Sequence, residues 1–156
     1  MLRIFSHILI PVIQMMKSQE YLSSILKTAQ MGQVGIRSVL DTSMRPALRK
    51  TLEVQLREYD SIESEARRIA SQRGWEIRDL EPAVRFFQDR RSRMKLTGSN
   101  TDSRIADMRI LSSTKGMIRE IKNKHQFPDT DSPVSTLSQK LIDCETASIR
   151  QMQIYL

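Results

Sequence analysis

The stretch TAQMGQVGI, residues Thr28–Ile36, decides how the first helix of this chain is interpreted. Apolar residues around it recur every three or four positions, which is the spacing of one buried helix face. It also contains Gly32 and Gly35, and a glycine costs about 1 kcal/mol relative to alanine in a helix interior. A second stretch, SSTKGMIRE at Ser112–Glu120, places Gly116 in a similar setting. We therefore expect Gly32 and Gly116 to serve close packing at the centre of a helical protein.

The composition favours helices throughout the chain. Its 156 residues suffice for one domain with a core, and few valines together with many Ile, Leu, Arg, Gln and Glu favour helix over strand. The formal net charge of +7 permits weak attraction to nucleic acid or anionic lipid, but basic and acidic residues are mixed, as on a solvated surface. The single cysteine, Cys144, excludes an internal disulfide and fits a cytoplasmic location.

Four long helices are predicted from the apolar periodicity and from start and stop signals, at about residues 18–40, 45–73, 102–125 and 132–156. Ser18 is a suitable N-cap for the first helix, and Gly74 is a natural stop for the second. On the second helix we expect the apolar residues to face inward; they are Leu48, Leu52, Leu56, Tyr59, Ile62, Ala66, Ile69 and Ala70. On the third helix the residues expected to face inward are Ile105, Met108, Leu111, Ile118 and Ile121.

The loop lengths indicate the topology. Short loops join the first helix to the second and the third to the fourth, so each pair should form an antiparallel hairpin. Residues 75–101 are long enough to include a helical segment that carries the chain back along the bundle. The second and third helices would then run parallel. This predicts an all-α, ferritin-like up-down four-helix bundle with a long helical crossover between helices 2 and 3.

A weak internal repeat supports two related hairpins. TAQMGQV aligns with SSTKGMI, which pairs Gly32 with Gly116, and LREYDSI aligns with DCETASI, which pairs Glu58 with Glu145. Glycines at matching heights would let the first and third helices approach closely, or would make room for a large side chain such as Tyr59.

The chain resembles a group of small ferritin-like bundle proteins that are found in fermentative Gram-positive bacteria and are mostly uncharacterised. The resemblance rests on AQMG in the first helix, LEVQLREYDSIESEA in the second, STKGMI in the third and a Glu-containing fourth helix. It covers residues 17–156 and implies common ancestry with metal-binding bundles.

The first sixteen residues stand apart from the predicted bundle. Their sequence, MLRIFSHILIPVIQMM, is apolar, is interrupted by Pro11 and is too short for a transmembrane span, which needs about 20 apolar residues. Three interpretations fit residues 1–16: an interfacial anchor, a helix docked on the bundle, or an upstream extension from a misassigned start. The predicted bundle domain therefore comprises residues 17–156.

A complete di-iron site is not predicted. Such a bundle needs Glu residues from two helices and a Glu-x-x-His pair from each of the other two, and the chain contains no such pair. The candidate metal ligands are Glu58, Glu65 and Glu145, which would form a reduced carboxylate site for iron or manganese. The alternative is that these residues are ordinary polar groups, hydrogen-bonded to one another, to Tyr59 or to buried water. No cofactor is expected on that interpretation.

The most basic stretch, RFFQDRRSRMK, lies in the predicted crossover. Its cations could contact phosphates and its phenylalanines could stack on bases; the basic residues are Arg85, Arg90, Arg91, Arg93 and Lys95. The alternative is an amphipathic crossover helix whose phenylalanines pack on the bundle while the arginines stay in water.

These observations favour a non-enzymatic, cytoplasmic helical bundle that acts through its surface, with an unknown protein partner or by forming a homo-oligomer. Cys144 lies beside acidic residues and far in sequence from any histidine, so it is interpreted as a buried apolar group rather than a nucleophile. A metal or redox protein and a weak binder of nucleic acid or membrane surfaces remain the alternatives.

Overall fold

A computed structural model describes residues 2–86, 100–128 and 131–156. The described residues form helices and no strands, which confirms the predicted all-α class. The four long helices are α1 (Leu2–Arg37), α2 (Pro46–Arg73), α3 (Thr101–Gln126) and α4 (Ser132–Met152). A short 3-10 turn, η1 (Gln153–Tyr155), follows α4, and residues 82–86 are also helical. No helix among the described residues is both long and apolar enough to span a membrane.

α2 begins and ends where local chemistry dictates. Pro46 occupies its first turn, where a missing N–H costs nothing. Gly74 ends it in the left-handed conformation, with φ of 67°, which glycine adopts without steric cost. The amide of Trp75 then donates to the carbonyl of Ala70 at 2.9 Å.

α1 is longer than predicted, because it begins at Leu2 and not at Ser18. Pro11 lies inside it and removes the donor that the carbonyl of His7 would use. Residues 6–17 are all exposed, so water can satisfy that carbonyl. The three interpretations of residues 1–16 therefore stay predictions, and Ser18 is the first buried position among residues 6–18.

Ion pairs at the helix ends establish the helix directions. Arg45, just before α2, pairs with Asp102 in the first turn of α3 at 2.5 Å, so α2 and α3 begin at the same end and run parallel. Arg73, at the end of α2, pairs with Asp131, just before α4, at 2.8 Å, so α2 and α4 run antiparallel. Both α1 and α4 contact α2 and α3, which gives the order α1–α2–α4–α3 around the bundle.

The chain leaves α2 along the outer side of α1. The amide of Arg78 donates to the Ser23 hydroxyl at 3.1 Å, and the amide of Leu80 donates to the Gln30 side chain at 2.7 Å. Gln30 also donates to the Asp79 carboxylate at 2.7 Å. Residues 78–80 therefore advance in the same direction as α1, back towards the beginning of α3.

The inward face of α3 is apolar at Ile105, as predicted, but largely polar from Arg109 onwards, which contradicts part of the sequence prediction. Leu111, Ile118 and Ile121 are 50%, 45% and 42% exposed instead of facing inward. The buried positions of this helix are Ile105, Ala106, Arg109, Ser113, Gly116, Glu120 and Asn123. Polar side chains on the other helices form hydrogen bonds with the buried polar groups of α3. The polar face can therefore be buried, and these three apolar residues lie outside the core.

Candidate functional site

Two glycines receive two large side chains at the bundle centre. The ring of Tyr59 on α2 lies against Gly32 of α1, so closely that a Cβ on this glycine would be 2.5 Å from the ring. The carboxylate of Glu145 on α4 lies against Gly116 of α3, where a Cβ would be 3.1 Å away. Each glycine thus faces a side chain of the adjacent helix in its own hairpin. Gly35 differs, since a Cβ there would be at an ordinary 3.6 Å from Arg109.

Tyr59 and Glu145 meet between these glycines. The phenol of Tyr59 donates to Oε1 of Glu145 at 2.7 Å, and both side chains are buried. Burial raises the pKa of Tyr59, which keeps the phenol a neutral donor. Burial also raises the pKa of Glu145, while nearby Arg109 and the hydrogen bond from Tyr59 act in the opposite direction.

Arg109 supplies a positive charge to the same centre. It is only 2% exposed, and its Nη2 donates to the Tyr59 hydroxyl at 3.0 Å. The same nitrogen lies 3.3 Å from the hydroxyls of Ser113 and Ser148. It is 3.5 Å from the side-chain amide oxygen of Gln55. Burial alone would lower the pKa of this guanidinium, but the surrounding acceptors raise it, so Arg109 stays charged.

We call Gln55, Tyr59, Arg109, Ser113, Glu145 and Ser148 the central network. Its members come from α2, α3 and α4, and its two serine hydroxyls are 3.1 Å apart. Within the described residues, Nε and Nη1 of Arg109 have no hydrogen-bond acceptor. The network therefore places one cation and one carboxylate in the interior, joined through the phenol of Tyr59.

A second buried carboxylate, Glu120, lies elsewhere on α3 and has neutral partners. It accepts hydrogen bonds from Ser138 at 3.3 Å and from Asn123 at 3.4 Å. Ser138 in turn accepts a 2.5 Å hydrogen bond from Tyr21. Burial raises the pKa of Glu120 to about 7, despite its hydrogen bonds with Thr28, Asn123 and Ser138.

The three candidate metal ligands occupy different environments. Glu145 lies in the central network, whereas Glu58 is exposed and accepts a hydrogen bond from Cys144 at 3.3 Å. Glu65 is half-buried and pairs with Arg68. In the part of the chain that the structure describes, no group of three or more His, Cys, Asp or Glu residues is arranged to hold a metal ion.

Cys144 does not have the surroundings of a nucleophile. It is buried, and burial together with the neighbouring Glu58 carboxylate raises the pKa of its thiol. A thiol in this state is a weak nucleophile, because the reactive species is the thiolate.

The predicted basic surface lies mostly outside the described residues. Of its five members, only Arg85 is described; it is half-buried within the helical residues 82–86. Arg90, Arg91, Arg93 and Lys95 belong to residues 87–99, so nucleic-acid binding through this segment stays a prediction.

Sequence reasoning missed Arg109 and Glu120. Arg109, Ser113, Gly116 and Glu120 are three or four residues apart, so they lie on one side of α3. That spacing was the available signal, but it is also the spacing of an exposed face. No family model matches the chain, and neither a curated protein nor a solved structure is significantly similar to it.

Proposed function

We propose that this chain is a non-enzymatic, cytoplasmic bundle protein that acts through its surface, on a ferritin-like scaffold without a complete di-iron site. The order of the helices and the parallel directions of α2 and α3 support the scaffold. So does the chain segment that returns along α1 after α2. One long crossover between two antiparallel hairpins is the ferritin-like connectivity.

The observation that carries this proposal is Arg109 at the bundle centre. A ferritin-like metal site gathers carboxylates and imidazoles around cations. Here a guanidinium fixed on α3 is linked through Tyr59 to the one carboxylate of the central network. A divalent cation beside this guanidinium would be repelled strongly, because charges in a buried site are poorly screened. The geometry thus supports a structural use of the centre.

A surface role follows from what the interior leaves unused. In the central network Tyr59 links Arg109 to Glu145, and Cys144 is not activated. The exposed features are the apolar residues of α1 before Ser18 and an apolar stripe on α3 formed by Leu111, Ile118 and Ile121. Large exposed apolar patches commonly mark interaction sites.

Metal content of the purified protein tests this proposal. The chain is produced without a histidine tag in cells supplied with iron, manganese and zinc, and is analysed by elemental mass spectrometry. We expect far less than one equivalent of any metal in the wild type and in Glu145→Ala. About one equivalent or more in the wild type, lost in Glu145→Ala, would refute the proposal in favour of a carboxylate metal site. The exposed variant Glu53→Ala is the matched control, because it removes a carboxylate away from the centre.

A further inference from the structure

The section of α1 before the bundle presents an unusual surface. Residues 6–17 are helical and exposed, and seven large apolar side chains among them are 41–64% exposed: Ile8, Leu9, Ile10, Val12, Ile13, Met15 and Met16. We call residues 8–16 the apolar section. Ile10 and Ile13 line a small cavity together with Phe127 and Pro128, but both remain more than 40% exposed.

The apolar section has two different sides. With 3.6 residues per turn, all its exposed apolar residues except Ile10 fall within an arc of about 160°. The opposite side is mixed, because Ile10 and Pro11 lie there beside His7 and Gln14. A helix with one broad apolar face can lie in the plane of a membrane interface.

A basic groove adjoins the apolar section. The groove has a volume of about 860 Å³, and Ile13 and Met16 form part of its wall. Four cationic side chains also line it: Lys17, Lys27, Arg78 and Arg119. Within the described residues none of these four forms an ion pair, and the acids in the lining are Glu20 and Glu76. The groove therefore carries an excess of positive charge directly beside exposed apolar surface.

We infer that the apolar section and the basic groove together bind the surface of an anionic lipid bilayer. The apolar face enters the boundary between headgroups and acyl chains, and the four groove cations contact anionic headgroups. This inference rests on the proposed role of a surface-acting bundle and names its partner.

A lipid surface suits the apolar section and the basic groove better than other partners do. The nine residues 8–16 span only about 14 Å as a helix, too little to cross a hydrocarbon core of about 30 Å but suitable for lying within one interface. A second copy of this chain carries the same net charge of +7, so its approach is opposed by charge of the same sign. An anionic bilayer instead offers the opposite charge, which strengthens peripheral binding.

Sedimentation with lipid vesicles tests the inference on the full-length protein. One set of vesicles consists of phosphatidylcholine alone, and the other is a two-to-one mixture of phosphatidylcholine and phosphatidylglycerol. We expect at least ten-fold stronger partitioning onto the anionic vesicles, and a steep loss of binding as salt is added, because each basic residue near such a surface contributes about five-fold.

Two variants and their controls separate the apolar and charged contributions. Ile8→Gln/Val12→Gln should weaken partitioning at least ten-fold, since it removes apolar groups from the inserted face. Its control is Val54→Gln/Ile154→Gln, which changes two exposed apolar side chains on α2 and in η1 and should leave binding unchanged.

For the charges, Lys17→Glu/Lys27→Glu should reduce partitioning by roughly twenty-fold or more, because each of the two lysines contributes about five-fold. Lys50→Glu/Lys122→Glu is the control, since both lysines are exposed and do not line the groove. Circular dichroism establishes that every variant remains folded.

Several outcomes would overturn the inference. Equal binding to both kinds of vesicle, or equal loss in the variants and their controls, would exclude the proposed surface. Inorganic phosphate that displaces the protein while Ile8→Gln/Val12→Gln binds normally would indicate a site for a soluble anion. A dimer in sedimentation velocity that Ile8→Gln/Val12→Gln abolishes, without vesicle binding by the wild type, would identify a second copy as the partner. None of these results bears on metal content, so failure here is distinct from failure of the proposed function.

Discussion

Glu145 and Glu120 are both buried in this bundle, but they differ in their partners. Glu145 shares the interior with a permanent cation, because Arg109 reaches it through the phenol of Tyr59. Among the described residues Glu120 accepts hydrogen bonds from neutral donors, including Ser138 and Asn123, and the charge of Arg119 lowers its pKa less than burial raises it. A buried carboxylate can thus be accommodated by a nearby positive charge or by holding a proton. The stability of the central network should therefore depend on Arg109, and the stability of the packing around Glu120 should depend on pH.

Removing Arg109 should have the largest effect on stability. In Arg109→Met the aliphatic stem is largely retained, but Glu145 loses its cation and the serine hydroxyls lose a donor. Breaking a buried charge arrangement by deleting one partner typically costs about 3–5 kcal/mol. Urea unfolding followed by circular dichroism measures the change. Arg119→Met is the control, because Arg119 is only half-buried and hydrogen-bonds to Thr28 and Met31; it should cost about 1 kcal/mol.

Replacing Glu120 should change the pH dependence of stability. Because burial raises the pKa of Glu120 to about 7, the folded state binds its proton more tightly than the unfolded chain does. Its contribution is complete below about pH 4.5 and is lost as the pH rises through about 7. In Glu120→Gln this loss is absent, so the variant should match the wild type near pH 4.5 and exceed it by about 3 kcal/mol near pH 8.

Urea unfolding across this pH range provides the test, with the exposed Glu53→Gln as control. If the difference in stability between Glu120→Gln and the wild type is the same at every pH, the raised pKa of Glu120 in the folded state is contradicted.

The glycines offer a sharper comparison of packing. In Gly32→Ala the new methyl group would be 2.5 Å from the Tyr59 ring, so we expect a loss of about 1–3 kcal/mol from overpacking. In Gly35→Ala the nearest atom is 3.6 Å away, so the higher helix propensity of alanine should add up to about 1 kcal/mol. Thermal unfolding of both variants tests the prediction, which is contradicted if the two change stability in the same direction.

Apolar periodicity predicted the buried face of α2 well and that of α3 poorly, for a physical reason. On α2 the buried positions include Leu48, Leu52, Ile62 and Ile69, at the predicted spacing. On α3 the buried stripe carries Arg109 and Glu120, which are costly to bury unless partners on other helices satisfy them. Those partners are distant in the sequence: Tyr59 is 50 residues from Arg109. A pattern within one helix cannot reveal such a pairing, so the more apolar side was wrongly assigned to the interior.

The candidate site was predictable only in part. The sequence drew attention to Gly32, Gly116, Tyr59 and Glu145, and the structure brings all four to one level of the bundle. The cation among them was not foreseen. The repeat alignment paired Glu58 with Glu145, but it is Tyr59 that lies on its glycine as Glu145 lies on Gly116. A shift of one residue moves a side chain by about 100° around a helix, enough to exchange an exposed position for a buried one.

The coupling between Arg109 and Glu145 tests the central claim most directly. The free energy of unfolding is measured for the wild type, Arg109→Met, Glu145→Leu and the double variant. If the cation holds the carboxylate in the interior, the double variant should be more stable than the sum of the single changes predicts, by about 1–3 kcal/mol. Additive effects within about 0.5 kcal/mol would contradict a central network built on these two charges.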